Sequence, residues 1–253
     1  MSVKPATLVT ISFSHFCEKG RWALDRGAIP YREELHAPVV HLLGTLPRGG
    51  RSTPLLALPD GTVLKSSREL LHHVDAQRPG LLYPKEPALR AEVDALEARF
   101  DDELGPATRR LAYHAIFGAN ESIGPMLDAT TQGLSRALSP LLRRVLPGML
   151  SRALKIDDMG AQRSREKLAP LLDELDRMLR DGRRYLVGDR FTAADLTFAA
   201  LYSPLLFPDE QPITSKVPAP LSLEKLRAEH AARPAGALAL RLYRDERRVV
   251  LPS

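Results

Sequence analysis

The feature that most constrains this chain is a change of rhythm between residues 78 and 87, where three prolines and a glycine interrupt every periodic pattern. Proline removes a backbone donor and glycine loosens φ, so neither a helix nor a strand runs through such a stretch. Before it, short apolar and β-branched runs alternate with turn residues. After it, apolar residues recur every three or four positions: Leu89, Val93, Leu96 and Phe100 over residues 88–104, then Leu168, Leu171, Leu172, Leu175 and Leu179 over residues 165–179. Thr192 and Asp195 have the spacing of a capping box ahead of residues 196–202, a run apolar nearly all round, which predicts a helix in the middle of a bundle and a structural role for Asp195. The expected organisation is an α/β N-terminal domain over residues 1–78, a linker at 79–87 and an all-α helical bundle over 88–253.

Chemistry concentrates in the first part. The run Leu8-Val9-Thr10-Ile11 predicts a strand, and Ser14-His15-Phe16-Cys17-Glu18-Lys19-Gly20-Arg21-Trp22-Ala23-Leu24 follows it as a helix. Ser14 then sits where backbone N–H groups are unpaired and the helix dipole favours an anion. A hydroxyl there can donate to a thiolate and lower a thiol pKa; it can equally be an ordinary helix cap. In Ser52-Thr53-Pro54-Leu55-Leu56 a proline opens a strand. With a cis bond before Pro54, Thr53 offers its N–H and C=O to an extended peptide; with a trans bond it merely starts an edge strand. Asp60-Gly61 predicts a two-residue hairpin turn before a strand at residues 62–64. Ser66-Ser67-Arg68-Glu69 then has capping-box spacing, and its free N–H groups suit a carboxylate.

Taken in order, strand, helix, strand, proline-led strand, hairpin and helix resemble the thioredoxin-like N-terminal domain of the cytosolic glutathione S-transferases, with five strings in register. These are the Ser14 segment with Arg21 before Ala23-Leu24, Gly27-Ala28-Ile29-Pro30-Tyr31, the Thr53-Pro54 segment, the Ser66-Ser67 helix start, and Leu186-Val187-Gly188-Asp189-Arg190-Phe191-Thr192-Ala193-Ala194-Asp195-Leu196. The resemblance, to serine-type and bacterial-like members, implies glutathione as co-substrate. Ser14 would activate its sulfur, Thr53 and Pro54 would hold its cysteinyl backbone, Ser67 would take the γ-glutamyl carboxylate, and Ser66 would stand beside the γ-glutamyl amine. Two positions depart from the family pattern. Ser66 occupies the place of an acidic residue, so a neutral hydroxyl bond replaces a charge-assisted one, and His15 stands where proline is common. His15 reads as a loop residue able to reach an acidic substrate. Cys17 reads as a small buried residue; if exposed at the helix start, it would support glutathione-linked redox chemistry.

Composition excludes several alternatives. The net charge of +5 and a pI near 9.5 accompany acids and bases that alternate along most of the chain, with few aromatics, so a solvated surface accounts for them better than a nucleic-acid face. Seven histidines, His15, His36, His41, His72, His73, His114 and His230, form no zinc-type spacing, and with one cysteine no metal is expected. The single cysteine and the lack of an apolar leader point to a reducing cytoplasm. No apolar run approaches the roughly 20 residues that span a bilayer.

The least family-like stretch, residues 111–156, is long for its helix pair. Between Asp128 and Asp157 it has no acid, while Arg136, Arg143, Arg144, Arg152 and Lys155 interleave with leucines. It can pack against the body or a second copy, cover a pocket as a lid, or touch an anionic membrane; Pro140, Pro147 and Gly148 predict that it is broken into short pieces. Beyond Pro208, Pro212, Pro218 and Pro220, two short helices at residues 221–232 and 235–247 are expected to pack back on the first domain. The leading expectation is a homodimeric glutathione transferase-like enzyme acting on a hydrophobic electrophile. The alternative is a protein of the same fold that binds a hydrophobic or acidic ligand, or a partner, without catalysis.

Overall fold

Thr7 to Ile11 read as strand because β-branched and leucine side chains alternate there, and in the computed structural model, which describes residues 5–119, 121, 123–212, 217 and 219–247 apart from the side chains of 129 and 130, Leu8 and Val9 of β1 (Ala6–Ile11) are fully buried. The chain then enters α1 (His15–Arg26), and β2 (Tyr31–His36) returns parallel to β1, a pairing that requires a helical crossover of this kind. A short α2 (Leu42–Thr45) precedes β3 (Leu55–Ala57) and β4 (Val63–Leu64), each antiparallel to its neighbour. The sheet order is β2-β1-β3-β4, with Val9 opposite Glu34 on one side and Leu55 on the other. The Thr53–Pro54 peptide is cis.

The β3–β4 turn is longer than the sequence predicts. A two-residue turn at Asp60-Gly61 would need an amide from Pro59, which has none. The last ladder bond is instead Leu58 N–H to the Thr62 carbonyl at 2.8 Å, and Gly61 closes the three-residue loop at φ +91°, a conformation that favours glycine. α3 (Ser67–Gln77) begins as expected: Ser66 Oγ accepts the Glu69 N–H at 3.2 Å, and the Glu69 carboxylate takes the Lys65 N–H at 2.9 Å and the Ser66 hydroxyl at 3.1 Å.

Beyond residue 87 the described regular elements are helical. α4 (Pro87–Arg99) passes through a π-helical turn, Phe100–Leu104, into α5 (Gly105–Gly118) without leaving the helix axis, the Gly105 N–H reaching back to the Phe100 carbonyl. α6 (Gly124–Thr130), α7 (Gly133–Ala137) and α8 (Ser139–Leu154) make up the basic stretch. Pro140 and Pro147 do not fragment it as the sequence predicts: Pro140 lies in the first turn of α8, where its missing N–H costs nothing, and Pro147 lies inside a continuous 16-residue helix. α9 (Asp158–Met178) and α10 (Ala193–Leu206) follow, then α11 (Glu224–Ala231) and α12 (Pro234–Glu246). α10 is buried almost throughout. Its capping box forms as expected, the Asp195 carboxyl accepting N–H groups of Leu186 at 2.7 Å and Thr192 at 2.9 Å; burial lifts its pKa to about 6.

α1 is the element that the two halves share. It packs on α3 on one side and α10 on the other, with Trp22 against Tyr243 of α12 at 4.7 Å between ring centres. Four of its charged residues, Glu18, Lys19, Arg21 and Asp25, are buried. Lys19 Nζ bonds Glu97 at 2.9 Å and Asp101 at 2.8 Å; the Tyr83 hydroxyl donates to Glu97 at 2.7 Å; Arg247 bonds Glu18 at 2.7 Å and Asp25 at 2.8 Å; Arg21 bonds Glu33 at 2.6 Å. The α12 end is thereby tied back to the first domain, as expected for the terminal helices. No helix among the described residues is long and apolar enough to cross a membrane.

Candidate functional site

The site forms where β1 ends and α1 begins. The C-terminal end of β1 brings Ile11, and Phe13 just beyond it, to the same opening as Ser14, the N-cap of α1, whose Oγ accepts the Cys17 N–H at 3.4 Å. Above Ser14 lies an apolar cavity of about 350 Å³, walled by α5 (Ala112, Tyr113, Ile116) and α8 (Leu146, Met149, Leu150). A volume of that order suits a small organic ligand.

The sequence-derived residues divide into three groups. Ser14 and His15 line the cavity. Cys17 is buried behind them, with its thiol facing the hydroxyls of Thr53 and Ser14; burial raises the Cys17 pKa, which leaves the sulfur a poor nucleophile. That brings Ser14, Cys17 and Thr53 together at one point. Ser66 and Ser67 lie at the start of α3, outside the cavity lining, with Ser67 buried and the Ser66 hydroxyl engaged by Glu69 on both its donor and its acceptor side.

His15 is not a loop residue. It is the first residue of α1, nearly fully buried, and its Nε2 meets the Gly105 carbonyl at 3.0 Å, so it bolts the two halves together. Burial, reinforced by the nearby Arg109 guanidinium, pushes its pKa down to about 3. A neutral imidazole cannot serve an acidic substrate as a counter-charge. A Cβ at Gly105 would lie 2.6 Å from Phe16 Cζ, so any larger residue there would have to displace that ring.

Sequence reasoning missed Arg109 and Tyr113; for the basic stretch it allowed packing against the body and covering a pocket, and α8 both packs and lines the cavity. Arg109, Ala112, Tyr113 and Ile116 fall at helical spacing on one face of α5, and a cation on an otherwise apolar face was the available signal. α8 is a fixed wall, not a detached segment: Arg110 Nε donates to the Leu154 carbonyl at 2.9 Å at its C-terminal end, and just before it Ser135 Oγ accepts the Ala37 N–H at 3.0 Å. Spacing also gave no hint that His72, Asp94 and Glu97 converge, with ligand atoms within 4.8 Å of one another. Glu97 is already engaged by Lys19 and Tyr83 at the seam between the halves, and Asp94 pairs within α4 with Arg90 at 3.3 Å.

Two family models match the chain: glutathione S-transferase, N-terminal domain, over residues 8–82, and glutathione S-transferase, C-terminal domain, over residues 158–214, together more than half of its length. The chain belongs to the glutathione S-transferase family. Solved structures of the same fold cover it almost end to end. A possible glutathione S-transferase from Rhodopseudomonas palustris is 16% identical with a TM-score of 0.58, covering 96% of this chain and 95% of that one. A glutathione S-transferase from Rhodospirillum rubrum is 22% identical with a TM-score of 0.53, covering 95% and 98%. One from Methylobacterium radiotolerans, in complex with glutathione sulfonate, is 19% identical with a TM-score of 0.54, covering 99% and 98%. No curated protein sequence matches the chain. Measured against the family, the Ser14 helix start and the Thr53–Pro54 strand fall inside the N-terminal match, whereas α5 and α8, which wall the cavity, lie between the two matched stretches.

Proposed function

We propose that the protein is a serine-type glutathione transferase that joins the glutathione sulfur to a hydrophobic electrophile. The observation that carries this reading is the position of Ser14: a hydroxyl at the N-terminus of a long helix, on the wall of an apolar cavity. Glutathione would lie extended along Thr53 and Pro54, its γ-glutamyl carboxylate at Ser67 and its amine near Ser66; the Rhodospirillum-type fold and the glutathione sulfonate complex of the Methylobacterium relative support that ligand class. The Ser14 O–H would donate to the sulfur, and the α1 N-terminus would add its dipole. Both stabilise thiolate, so the thiol gives its proton to solvent and the sulfur lone pair forms a C–S bond to an electrophile held in the cavity, either expelling a leaving group or adding to a polarised double bond. In this reading residues 1–78 hold glutathione, 79–87 link, and 88–253 supply the electrophile half. The resemblance supports a cytoplasmic homodimer.

Calorimetric titration with reduced glutathione tests the binding half. Micromolar to low-millimolar affinity that weakens in Ser67→Ala is expected; no heat at several millimolar sinks the reading. The second reading, a ligand-binding protein without catalysis, draws on Ser66, whose hydroxyl is spent on Glu69 where a free carboxylate would grip the γ-glutamyl amine. Glutathione binding with no consumption of an activated chloronitrobenzene or an unsaturated ketone would favour it.

A further inference from the structure

The cavity beside Ser14 is carbon-lined almost throughout, yet Arg109 of α5 projects into it as a lining residue. Its Nε is buried and has no hydrogen-bond partner, and no salt bridge to it forms among the described residues. The described residues include every aspartate and glutamate of the chain, so no acidic side chain is held in reserve elsewhere. The next residue behaves in the ordinary way: Arg110 donates to the Leu154 carbonyl and, at 2.7 Å, to Ser164. The other ionisable groups of the wall add no negative charge. Burial pushes the pKa values of His15 and His41 down, and that of Tyr113 up, so all three are neutral near pH 7. Arg109 is half-buried, and a guanidinium that faces an apolar cavity with its Nε buried and no counter-charge nearby is poorly compensated. Burial draws the Arg109 pKa down, opposed by Tyr113 and aided by the neighbouring Arg110.

We infer that the cavity takes an amphipathic carboxylic acid, whose carboxylate accepts paired hydrogen bonds from the Arg109 guanidinium while its apolar body lies between α5 and α8. A planar fork of donors fits a planar pair of carboxylate oxygens. Naming this acid as the electrophile rests on the transferase reading; its binding does not. The inference sharpens the substrate class from hydrophobic to hydrophobic and anionic, and makes Arg109 a specificity-determining residue.

Calorimetric titration with phenylbutanoate, and in parallel with phenylbutanamide of the same shape and no charge, tests it. The native protein is expected to bind the acid at least about tenfold tighter than the amide. Arg109→Gln is expected to lose that preference while keeping the affinity for the amide, and Arg109→Lys to keep part of it. Equal binding of acid and amide, a preference that survives in Arg109→Gln, or no binding of either at several millimolar would overturn the inference. Where Arg109→Gln fails to fold, the native protein decides with a third probe, phenylbutylamine: the order acid, amide, amine supports the assignment and any other order defeats it. A glutathione titration on the same preparation separates the two claims. Acid preference without glutathione binding fells the transferase reading and leaves Arg109 its ligand; glutathione binding without acid preference does the reverse.

Discussion

Two regions a few residues apart treat buried charge in opposite ways. Along α1, Glu18, Lys19, Arg21 and Asp25 are all removed from solvent, and each meets an opposite charge from another element. In the neighbouring cavity Arg109 is half-buried, with its Nε sequestered, and meets none. The seam gives every ion an opposite charge from the chain itself, although both terminal nitrogens of Arg21 stay buried without a hydrogen bond, and it serves to fix how the halves meet. The cavity is open chemistry that a ligand would complete. Burial alone therefore does not distinguish a structural ion from a recognition group; the presence of a partner does.

The contrast can be broken first at the seam. Lys19→Ala leaves Glu97 and Asp101 facing each other without their cation, and a loss of about 3–5 kcal/mol is expected in denaturant unfolding, the scale for a broken buried pair. A loss under about 1 kcal/mol would mean that the seam is hydrated and the distinction false. Ser14→Ala comes next. With glutathione saturating, turnover at neutral pH should fall about 100-fold and recover toward high pH as the unassisted thiol ionises, whereas glutathione affinity should scarcely move. Unchanged turnover across pH would remove Ser14 from the chemistry.

Smaller effects sharpen the boundary between the regions. His15 is neutral in the folded protein down to about pH 3, while in the unfolded chain it takes up a proton below about pH 6.5. The unfolded state then binds more protons, so stability is complete above pH 6.5 and declines as pH falls toward 3. Between pH 7 and 5.5 the His15 contribution to that decline is about 1 kcal/mol, and His15→Asn should flatten the profile by that amount. Arg109→Gln should have the least effect on stability, within about 0.5 kcal/mol or slightly favourable, since it removes an ion with no partner to orphan. A loss on the seam scale would reveal a counter-charge and undo the comparison.

The fold was largely legible because its signals are local. Both capping boxes, at Ser66 and at Thr192, lie within four residues of sequence, and the apolar stripes of α4, α9 and α10 follow from spacing alone. What escaped depends on distant partners. Nothing near Lys19 announces Glu97, and nothing near His15 announces the Gly105 carbonyl; the buried ion pairs of α1 therefore went unforeseen, and from sequence alone His15 reads as a loop residue. Pro147 misled in another way, since packing of Leu142 and Leu146 into the body holds the helix together through a proline that would break it in isolation. For the site, the sequence marked Ser14, Cys17 and Thr53, which the structure brings together, but much of the cavity wall comes from α5 and α8, where the sequence carried no recognised string.

The π-helical turn at Phe100–Leu104 takes up slack between α4 and the cavity wall. Its bond from the Gly105 N–H to the Phe100 carbonyl folds one residue more into a turn than an α-helix holds. The surplus is absorbed where it occurs, so α5 keeps roughly the facing that an unbroken α-helix would give it, and Arg109 and Tyr113 stay on the cavity side. The turn acts as a spacer washer: chain length changes there while the wall behind it keeps its aim.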